Sequence, residues 1–409
     1  MGPNDDLSIP RTLLITLSGK DRPGVTSSVF ATLARFGLEV LDVEQIVLKR
    51  RLVLGVLVTA PREWKHVRDA VERVGESLGM SVEVTKGGQE RHQRWVQRTR
   101  VTVLGSPLKS KAMAAIAGRI ADHGANIDRI QRMARYPVTA IELQISGADP
   151  DRLRHVLGAE AAAQGVDVAV QKASMLTRGA RLIVMDVDST LIQGEVIEML
   201  AAHAGCESEV AKITEAAMRG ELDFEQSLRA RVALLKGVPA EALDEVYREI
   251  QLSPGAATLV RTLRRLGYRF ALVSGGFSQI TDRIARDLGI NYSAANTLEI
   301  IDGHLSGNVV GTIIDRAGKA AALRRFAGDA GVSPEATVAI GDGANDLDML
   351  AAAGLGIAFN AKPIVAQQAQ TAVNVPYLDT ILYLLGFSRE EIEAADELAG
   401  VTTPAPPLE

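Results

Sequence analysis

The sequence predicts an α/β protein in which a Rossmann-like parallel sheet with a helical cap follows two smaller, ferredoxin-like βαββαβ units. Three observations lead to this prediction. One pattern of strands and helices occurs twice in the N-terminal part of the chain. From residue 182 onward, short apolar strands alternate with helices, which is typical of a sheet covered on both faces. Polar clusters follow three of these strands, at residues 186–191, 274–276 and 341–348.

The composition is that of a globular chain with two or three domains. Of the 409 residues, 47% are hydrophobic and 23% are charged. Because the net charge is only −5 and the basic residues form no long block, we expect no nucleic-acid partner and no binding to membranes. The densest basic stretch, residues 91–100, is interpreted as a solvated linker. Cys206 is the only cysteine, so we expect no intrachain disulfide. The sequence shows neither a signal-peptide pattern near Met1 nor a run of about 18 apolar residues, so we expect a cytoplasmic protein.

The first βαββαβ unit is predicted at residues 11–90, after a loose tail at 1–10. Alternating apolar residues indicate a strand near 13–17, and an apolar periodicity of 3.6 residues indicates a helix that stops at Gly37. Two strands, a helix and a last strand follow. The strands are predicted at 40–48, 52–58 and 82–84.

The second unit is predicted at residues 98–177 and repeats this order after a linker at the Gly87-Gly88 pair. Its first helix is expected to stop at Gly124. The strands are predicted at 101–103, 127–133, 140–145 and 166–170. The order βαββαβ predicts one antiparallel sheet with two helices on one face.

Both units resemble the ACT domain, a small-molecule sensing module that often binds amino acids. The resemblance depends on the turn Ser-Gly-Lys-Asp-Arg-Pro-Gly at 18–24 and on Gly-Ala-Asn-Ile at 124–127. Glycines in such a turn can expose backbone N–H groups to a carboxylate at a helix N-terminus, although a tight turn without a ligand is the alternative. The second unit has Ser-Pro-Leu-Lys-Ser at 106–110 instead, so the two units are not equivalent.

The ACT resemblance implies regulation and a homodimer formed through these units. We hypothesise that an effector amino acid lies between the turn of one unit and Asn126 of the other, across a domain or subunit interface. The candidate regulatory residues are Gly19, Asp21, Gly24 and Asn126.

The third domain is predicted at residues 180–395, with a loose tail at 396–409. Its strands are predicted at 182–187, 269–273, 337–340 and 356–359. Ligands of open parallel sheets bind beyond the carboxyl ends of the strands, so the three polar clusters should converge.

The first cluster begins with Asp186 and Asp188, which lie on the same side of an extended backbone. A calcium loop is excluded, because Leu191 and Ile197 occupy the positions that require glycine and glutamate. Capping of the following helix is an alternative, but it accounts for only one carboxylate.

The other clusters add groups suited to phosphate and metal. Ser274, with the two glycines after it, can hold a phosphate, and Lys319 offers a positive charge, although each signal is weak alone. Asp342 and Asp346 are carboxylates suited to magnesium. Asp346 also occupies the last glycine position of a dinucleotide fingerprint, so we do not expect a dinucleotide cofactor.

In this order the clusters resemble the successive motifs of the haloacid dehalogenase superfamily of phosphotransferases. The resemblance implies that Asp186 attacks phosphorus and that Asp188 acts as general acid and then as general base. Ser274 and Lys319 would neutralise phosphate charge. It also implies Mg²⁺ as cofactor, held by Asp186, the backbone carbonyl of Asp188, and Asp342.

The segment at about 195–255 is too long for a simple crossover, so we predict a cap over the site. Its sequence resembles the phosphoserine phosphatases of that superfamily. The resemblance implies that Glu195 binds the amino group of phosphoserine, Arg231 binds its carboxylate and Phe224 shields the site. Gly275 and Asn345 belong to the same predicted substrate-binding set.

The expected reaction is hydrolysis of phosphoserine to serine and phosphate, the last step of serine biosynthesis, with serine also a possible effector. Two alternatives remain open from the sequence. One is a phosphatase or phosphotransferase for another small phosphomonoester. The other is an amino-acid sensor whose phosphatase domain is inactive.

Overall fold

The computed structural model describes residues 12–87, 99–172, 182–219 and 221–404. The chain divides into two compact units, Met1–Val96 and Gln97–Glu409, which are described separately. The predicted N-terminal tail, most of the basic stretch at 91–100 and Gly88 of the predicted linker lie outside the described residues.

The first unit has the predicted βαββαβ order. Its sheet is antiparallel in the order β2-β3-β1-β4, and alternate residues of β1 are buried in a core shared with both helices. The first helix ends at Ala34, three residues before the glycine that was predicted to stop it. The elements are β1 (Thr12–Lys20), α1 (Val25–Ala34), β2 (Val40–Leu48), β3 (Arg51–Thr59), α2 (Trp64–Leu78) and β4 (Met80–Gly87).

The second unit begins with the same fold. Its four strands have the order β6-β7-β5-β8, which is equivalent to the strand order of the first unit. All seven residues of its central strand β5 are buried, since the sheet face opposite the helices packs on the C-terminal part of the chain. The elements are β5 (Thr99–Gly105), α3 (Ser110–Asp122), β6 (Asn126–Ala134), β7 (Thr139–Ser146), α4 (Pro150–Gln164) and β8 (Asp167–Lys172).

A seven-stranded sheet forms the centre of the C-terminal part, in the order β12-β11-β10-β9-β13-β14-β15. All neighbouring strands are parallel except β11 and β12. The four predicted strands are present. The strands are β9 (Leu182–Met185), β10 (Arg269–Phe277), β11 (Tyr292–Ile301), β12 (His304–Val310), β13 (Thr337–Gly341), β14 (Leu355–Phe359) and β15 (Thr371–Val373).

The antiparallel hairpin of β11 and β12 was not predicted. Its turn is formed by Asp302 and Gly303, both with positive φ (49° and 76°), and an Asp-Gly pair between two apolar runs is a sequence signal for such a hairpin. The hairpin supports the cap, because the backbone N–H of Gly237 donates to the carbonyl of Leu305 at 2.8 Å. Leu305 N–H in turn donates to the carbonyl of Val238 at 2.8 Å.

Four helices occupy most of the segment for which a cap was predicted, between β9 and β10. These are α5 (Val196–Ala204), α6 (Glu207–Met218), α7 (Phe224–Ala233) and α8 (Ala242–Glu249). The remaining helices flank the sheet or follow it: α9 (Ala256–Arg265), α10 (Ser278–Leu288), α11 (Arg316–Ala330), α12 (Leu347–Ala352), α13 (Pro363–Gln368), α14 (Ile381–Leu384) and α15 (Arg389–Leu398). No helix in the described ranges is both long and apolar enough to cross a bilayer.

The loose C-terminal tail was predicted to start at residue 396. This boundary is too early, because Asp396 lies inside α15 and is fully buried. Arg261 donates to both oxygens of Asp396, at 3.0 and 2.6 Å, and Thr403 donates to one of them at 2.8 Å. Burial alone would raise the pKa of Asp396, but the hydrogen bonds from Arg261 and Thr403 outweigh it and lower the pKa to about 2. The chain is therefore held in place beyond the predicted boundary.

Candidate active site

The three polar clusters of the sequence meet in one pocket of about 460 Å³ beyond the carboxyl ends of β9, β10 and β13. Residues of all three clusters line it, together with side chains of the cap. The convergence expected from the order of strands is therefore present. The pocket-lining residues from these clusters include Asp186, Asp188, Gly275, Gly276, Asp342 and Asn345.

Asp186 is held at the base of the pocket by the central strand. The four residues of β9 are apolar and buried between β10 and β13, so the first polar residue emerges at the edge of the sheet. Its backbone N–H still donates to the carbonyl of Ile340 in β13, at 2.9 Å. Three residues later Ser189 has a left-handed backbone (φ 57°), which turns the chain away from the sheet.

Asp188 is oriented by hydrogen bonds to both of its carboxylate oxygens. Oδ1 accepts from the backbone N–H of Val196 at 2.9 Å, and Oδ2 accepts from the hydroxyl of Ser274 at 3.0 Å. Burial raises the pKa of Asp188, and these two hydrogen bonds oppose the shift. Gly276 is required beside it, because a Cβ there would lie 2.5 Å from Oδ2.

Lys319 is a buried cation rather than a surface lysine. It is 1% exposed, and its Nζ lies 2.7 Å from Oδ1 of Asp186 and 2.7 Å from Oδ1 of Asp346. Burial alone would lower the pKa of Lys319, but the charges of Asp186 and Asp346 raise it above its ordinary value. The ammonium therefore keeps its charge. The first turn of α11 places it there, since Gly318 N–H donates to the side chain of Asp315 at 2.7 Å.

Asp186, Asp342 and Asp346 each place a carboxylate oxygen within 4.8 Å of the others. Three carboxylates beside the single ammonium of Lys319 leave a net negative charge, and an oxygen-only set suits a hard divalent cation. Burial raises the pKa of Asp186 well above its usual range, and burial raises the pKa of Asp342 to about 6. A bound cation would relieve both shifts, so these residues fit a metal site.

The cluster differs in part from the predicted metal set. Asp186 and Asp342 belong to both. The carboxylate of Asp188 is engaged by Val196 and Ser274, so the part of this residue left for a metal is its backbone carbonyl, which is the ligand that was predicted. Asp346 was not in the predicted set. Its Oδ2 accepts from the backbone N–H of Gly343 at 2.9 Å, so the last loop of the site is organised around this carboxylate.

Thr190 is a site residue for which no role was predicted. Its side chain is fully buried, and its hydroxyl donates to Oδ1 of Asp342 at 3.0 Å. It thereby links the loop after β9 to the loop after β13. The signal in the sequence was its place at the end of the Asp-x-Asp-x-Thr cluster.

The cap supplies the outer part of the pocket. α7 begins with a capping box, in which Gln226 N–H donates to Asp223 Oδ1 at 2.8 Å. This fixes Phe224 over the C-terminal end of β10, where a Cβ on Gly275 would lie 3.1 Å from the phenyl ring.

Glu195 and Arg231 both line the pocket and give it one negative and one positive group on the cap side. Burial raises the pKa of Glu195, and the charge of Asp188 adds to this shift. Burial lowers the pKa of Arg231, and the charge of Glu195 opposes the shift. Opposite charges in a partly desolvated pocket are suited to a zwitterion.

A further wall of the pocket was missed by the sequence analysis. It is formed by residues 360–365, which follow β14, and Asn360, Lys362, Ile364 and Val365 contribute to the lining. The segment follows the carboxyl end of a strand that was predicted, so the rule that located the other clusters would also have found it.

The candidate regulatory residues fall in different units. Gly24 precedes α1 with φ 94°, a left-handed conformation that favours glycine. Gly19 lies inside β1, where a Cβ would lie 2.4 Å from the sulfur of Met80, so close packing also requires this glycine. Asn126 begins β6 in the other unit and donates to Asp128 Oδ1 at 2.8 Å. Asp21 donates its backbone N–H to the carbonyl of Arg50 at 2.8 Å.

Three family models match the chain. Residues 180–354 match a haloacid dehalogenase-like hydrolase, and residues 98–171 and 11–85 each match an ACT domain. These matches follow the order of domains seen in the structure.

Two curated relatives match almost the whole chain. A phosphoserine phosphatase of Streptomyces coelicolor is 59% identical over 390 residues, which is 95% of this chain and 95% of the relative. A phosphoserine phosphatase of Mycobacterium tuberculosis is 51% identical over 391 residues, 94% of this chain and 95% of the relative. Among solved structures, an unliganded probable phosphoserine phosphatase from Vibrio cholerae has a TM-score of 0.57 and 34% identity, and covers 76% of this chain and 91% of its own.

The first testable prediction concerns the acidic cluster. Saturating Mg²⁺ should raise the melting temperature of the chain relative to the metal-free protein, by roughly 2–6 °C for a stabilisation of about 1.5 kcal/mol. Asp342→Asn should remove most of this increase, because one of the three charges is lost. Differential scanning calorimetry with Mg²⁺ or EDTA measures both shifts.

Asp282→Asn is the matched control, because Asp282 is exposed on α10. It should retain the full Mg²⁺ effect. An equal Mg²⁺ effect in Asp342→Asn and in the unaltered chain would show that the cluster is not the metal site.

Proposed function

The chain belongs to the phosphoserine phosphatases of the haloacid dehalogenase-like hydrolases and hydrolyses O-phospho-L-serine to L-serine and phosphate, and we propose that it does so through a phosphorylated Asp186. The observation that carries this assignment of residues is the pair Asp186 and Asp188 at one end of β9, with Asp188 held between Val196 and Ser274. Two carboxylates in different environments can divide nucleophilic and acid–base roles.

In the first step the carboxylate of Asp186 attacks phosphorus and the bond from phosphorus to the serine oxygen breaks. Asp188 donates its proton to the leaving oxygen, and serine departs. The raised pKa of Asp188 supports this role, because a carboxyl group must hold a proton near neutral pH to act as an acid.

In the second step water attacks the phosphorus of the aspartyl phosphate. Asp188, now a carboxylate, takes a proton from that water, and the bond between phosphorus and Asp186 breaks. Phosphate leaves, and Asp186 returns as a carboxylate with Asp188 protonated. The hydrogen bond from the backbone N–H of Val196 keeps Asp188 oriented through both steps.

Mg²⁺ is the proposed cofactor, held by Asp186, the backbone carbonyl of Asp188, and Asp342, with Asp346 as the neighbouring carboxylate. When bound, it would neutralise charge on the phosphate oxygens during transfer. Lys319 adds its own charge beside Asp186, and Ser274 holds phosphate together with the backbone N–H of Gly275, since the N–H of Gly276 donates to Ser274 Oγ at 2.7 Å.

Recognition of the serine part is assigned to the cap. We assign the carboxylate of phosphoserine to Arg231 and its ammonium to Glu195, which have opposite charges and line the same pocket. Phe224 closes over Gly275, and Asn345 lines the opposite loop. The pocket therefore offers a charge partner for each ionic group of the substrate.

The principal test is phosphate release from phosphoserine with and without Mg²⁺. Asp186→Asn should reduce kcat by roughly 10³-fold or more, because an amide cannot form the intermediate. Asp282→Asn should retain normal turnover. Normal turnover in Asp186→Asn would exclude Asp186 as the nucleophile. An unchanged rate of phosphate release after addition of EDTA would exclude a requirement for a divalent metal.

The role of Arg231 is tested with two substrates. Arg231→Ala should lower kcat/KM for phosphoserine by about 100-fold, since a partly buried charge pair is lost, and should change hydrolysis of p-nitrophenyl phosphate by less than about 3-fold. Arg229→Ala, on the same helix but paired with Glu225, is the control. Equal losses on both substrates would favour a general role, and with it another phosphomonoester as substrate.

We further propose that the enzyme catalyses the last step of serine biosynthesis in the cytoplasm and forms a homodimer through its ACT domains. The single cysteine fits a reducing compartment. Support for the dimer comes from β2, an edge strand of the first sheet with exposed apolar side chains. Val40, Val43, Ile46 and Leu48 are 46–66% exposed there. Apolar edge strands are prone to pairing with another chain.

Serine is the proposed effector at the ACT domains. Asp21→Ala and Asn126→Ala should each raise the serine concentration needed for half of its effect on turnover by about 10-fold or more, without changing KM in the absence of serine. Steady-state kinetics at several serine concentrations measures this. Glu76→Ala, exposed on α2, is the control. If serine acted only as a competitive product, or acted equally on all variants, the proposal would be wrong.

A further inference from the structure

We propose that Asp167 of the second ACT domain is a positioning residue for the hydrolysis of phosphoserine. It holds the pocket wall at residues 360–365, and Lys362 in that wall attracts the anionic substrate. The inference deepens the proposed function and rests on it. The second ACT domain then forms part of the support of the active site.

Asp167 is the first residue of β8 and is 7% exposed. Its Oδ1 accepts from Asn374 Nδ2 at 2.7 Å, and its Oδ2 accepts from the backbone N–H of Asn374 at 2.8 Å and of Val375 at 3.3 Å. Three donors on one buried carboxylate make a strong, directional contact. The ACT domain therefore binds the chain directly after β15.

The end of β15 is joined to the pocket wall. β14 and β15 are parallel, with Phe359 opposite Val373, and the backbone N–H of Asn360 donates to the carbonyl of Val373 at 2.8 Å. Asn374 and Asn360 therefore follow neighbouring strands at the same edge of the sheet, which is the edge that carries the catalytic clusters. Asn360 has a left-handed backbone (φ 50°), so the chain changes direction there and continues along the pocket.

The charges of the pocket indicate that this wall affects binding of the anionic substrate. The described residues that line it include four carboxylates and two cations, Arg231 and Lys362. Arg231 is half-buried, whereas Lys362 is exposed. A phosphoserine dianion approaching an acidic cleft is repelled, and a lysine at the entrance raises its local concentration. Displacement of Lys362 should therefore weaken substrate capture more than the chemical step.

Another buried carboxylate of the same domain provides a matched comparison. Glu142 on β7 is 5% exposed and lies 3.7 Å from Arg100, whose guanidinium donates to the carbonyl of Leu384 in α14 at 3.1 Å. This contact also joins the ACT domain to the catalytic part, but it ends on α14 and not on β15. A change at Glu142 therefore disturbs the interface without acting on the strand next to the wall.

The test is steady-state hydrolysis of phosphoserine by the full chain at low and high salt. Asp167→Asn should raise KM by roughly 3- to 10-fold with kcat changed less than about 2-fold, because an amide has one acceptor oxygen in place of two and at least one of the three donors loses its acceptor. Glu142→Gln should leave KM within about 2-fold. Lys362→Met should raise KM similarly and reduce its dependence on salt.

The double variant Asp167→Asn/Lys362→Met decides whether the two residues act together. Its KM should be close to that of Lys362→Met alone. The proposal is overturned if Asp167→Asn leaves KM unchanged, if Glu142→Gln raises KM equally, or if the two single effects multiply in the double variant.

Asn374→Ala serves if Asp167→Asn does not fold, since Asn374 is exposed and only one of the three hydrogen bonds is removed. It should raise KM about 2-fold or more, and an unchanged KM would overturn the proposal. Absence of phosphoserine turnover in the unaltered chain would instead count against the proposed function itself, and the positioning role would fall with it.

Discussion

The ammonium of Lys319, buried between Asp186 and Asp346, is the interaction on which the rest of the active site depends. Burial of one carboxylate is costly, and the site buries several within a few ångströms of each other. Lys319 offsets that cost at the point where three elements meet: the end of β9, the loop after β13 and the first turn of α11. Without this cation, two buried carboxylates would repel each other without compensation.

Glycines allow this arrangement because the loops approach the carboxylates closely. A Cβ at Gly341 would lie 2.4 Å from Cγ of Asp346, and one at Gly276 would lie 2.5 Å from Oδ2 of Asp188. Glycines that the sequence suggested for phosphate-binding loops are therefore also required for packing. Catalytic geometry and local packing are specified by the same residues, which leaves little room for substitution at either position.

Much of the architecture followed from pattern alone, because strands with alternating or continuous apolar residues report directly on burial. The two βαββαβ units and the catalytic strands were located in this way, and the convergence of the clusters followed from the rule on strand ends. The sequence could not reveal that Lys319 is buried, since its partners are far away in the chain. Nor could it show the contact of Asp167 with Asn374, which are 207 residues apart. The hairpin of β11 and β12 and the wall after β14 were missed although local signals existed.

The complete burial of β5 distinguishes the second ACT domain from the first in how it is attached to the rest of the chain. The sheet of the second ACT domain has given one of its faces to the catalytic part, where Arg100 and Gln171 both donate to the carbonyl of Leu384. The first ACT domain has its own core and forms a separate compact unit. Removal of the first ACT domain would therefore leave the core of the remaining unit intact, whereas removal of the second would expose the face of the catalytic part on which β5 packs.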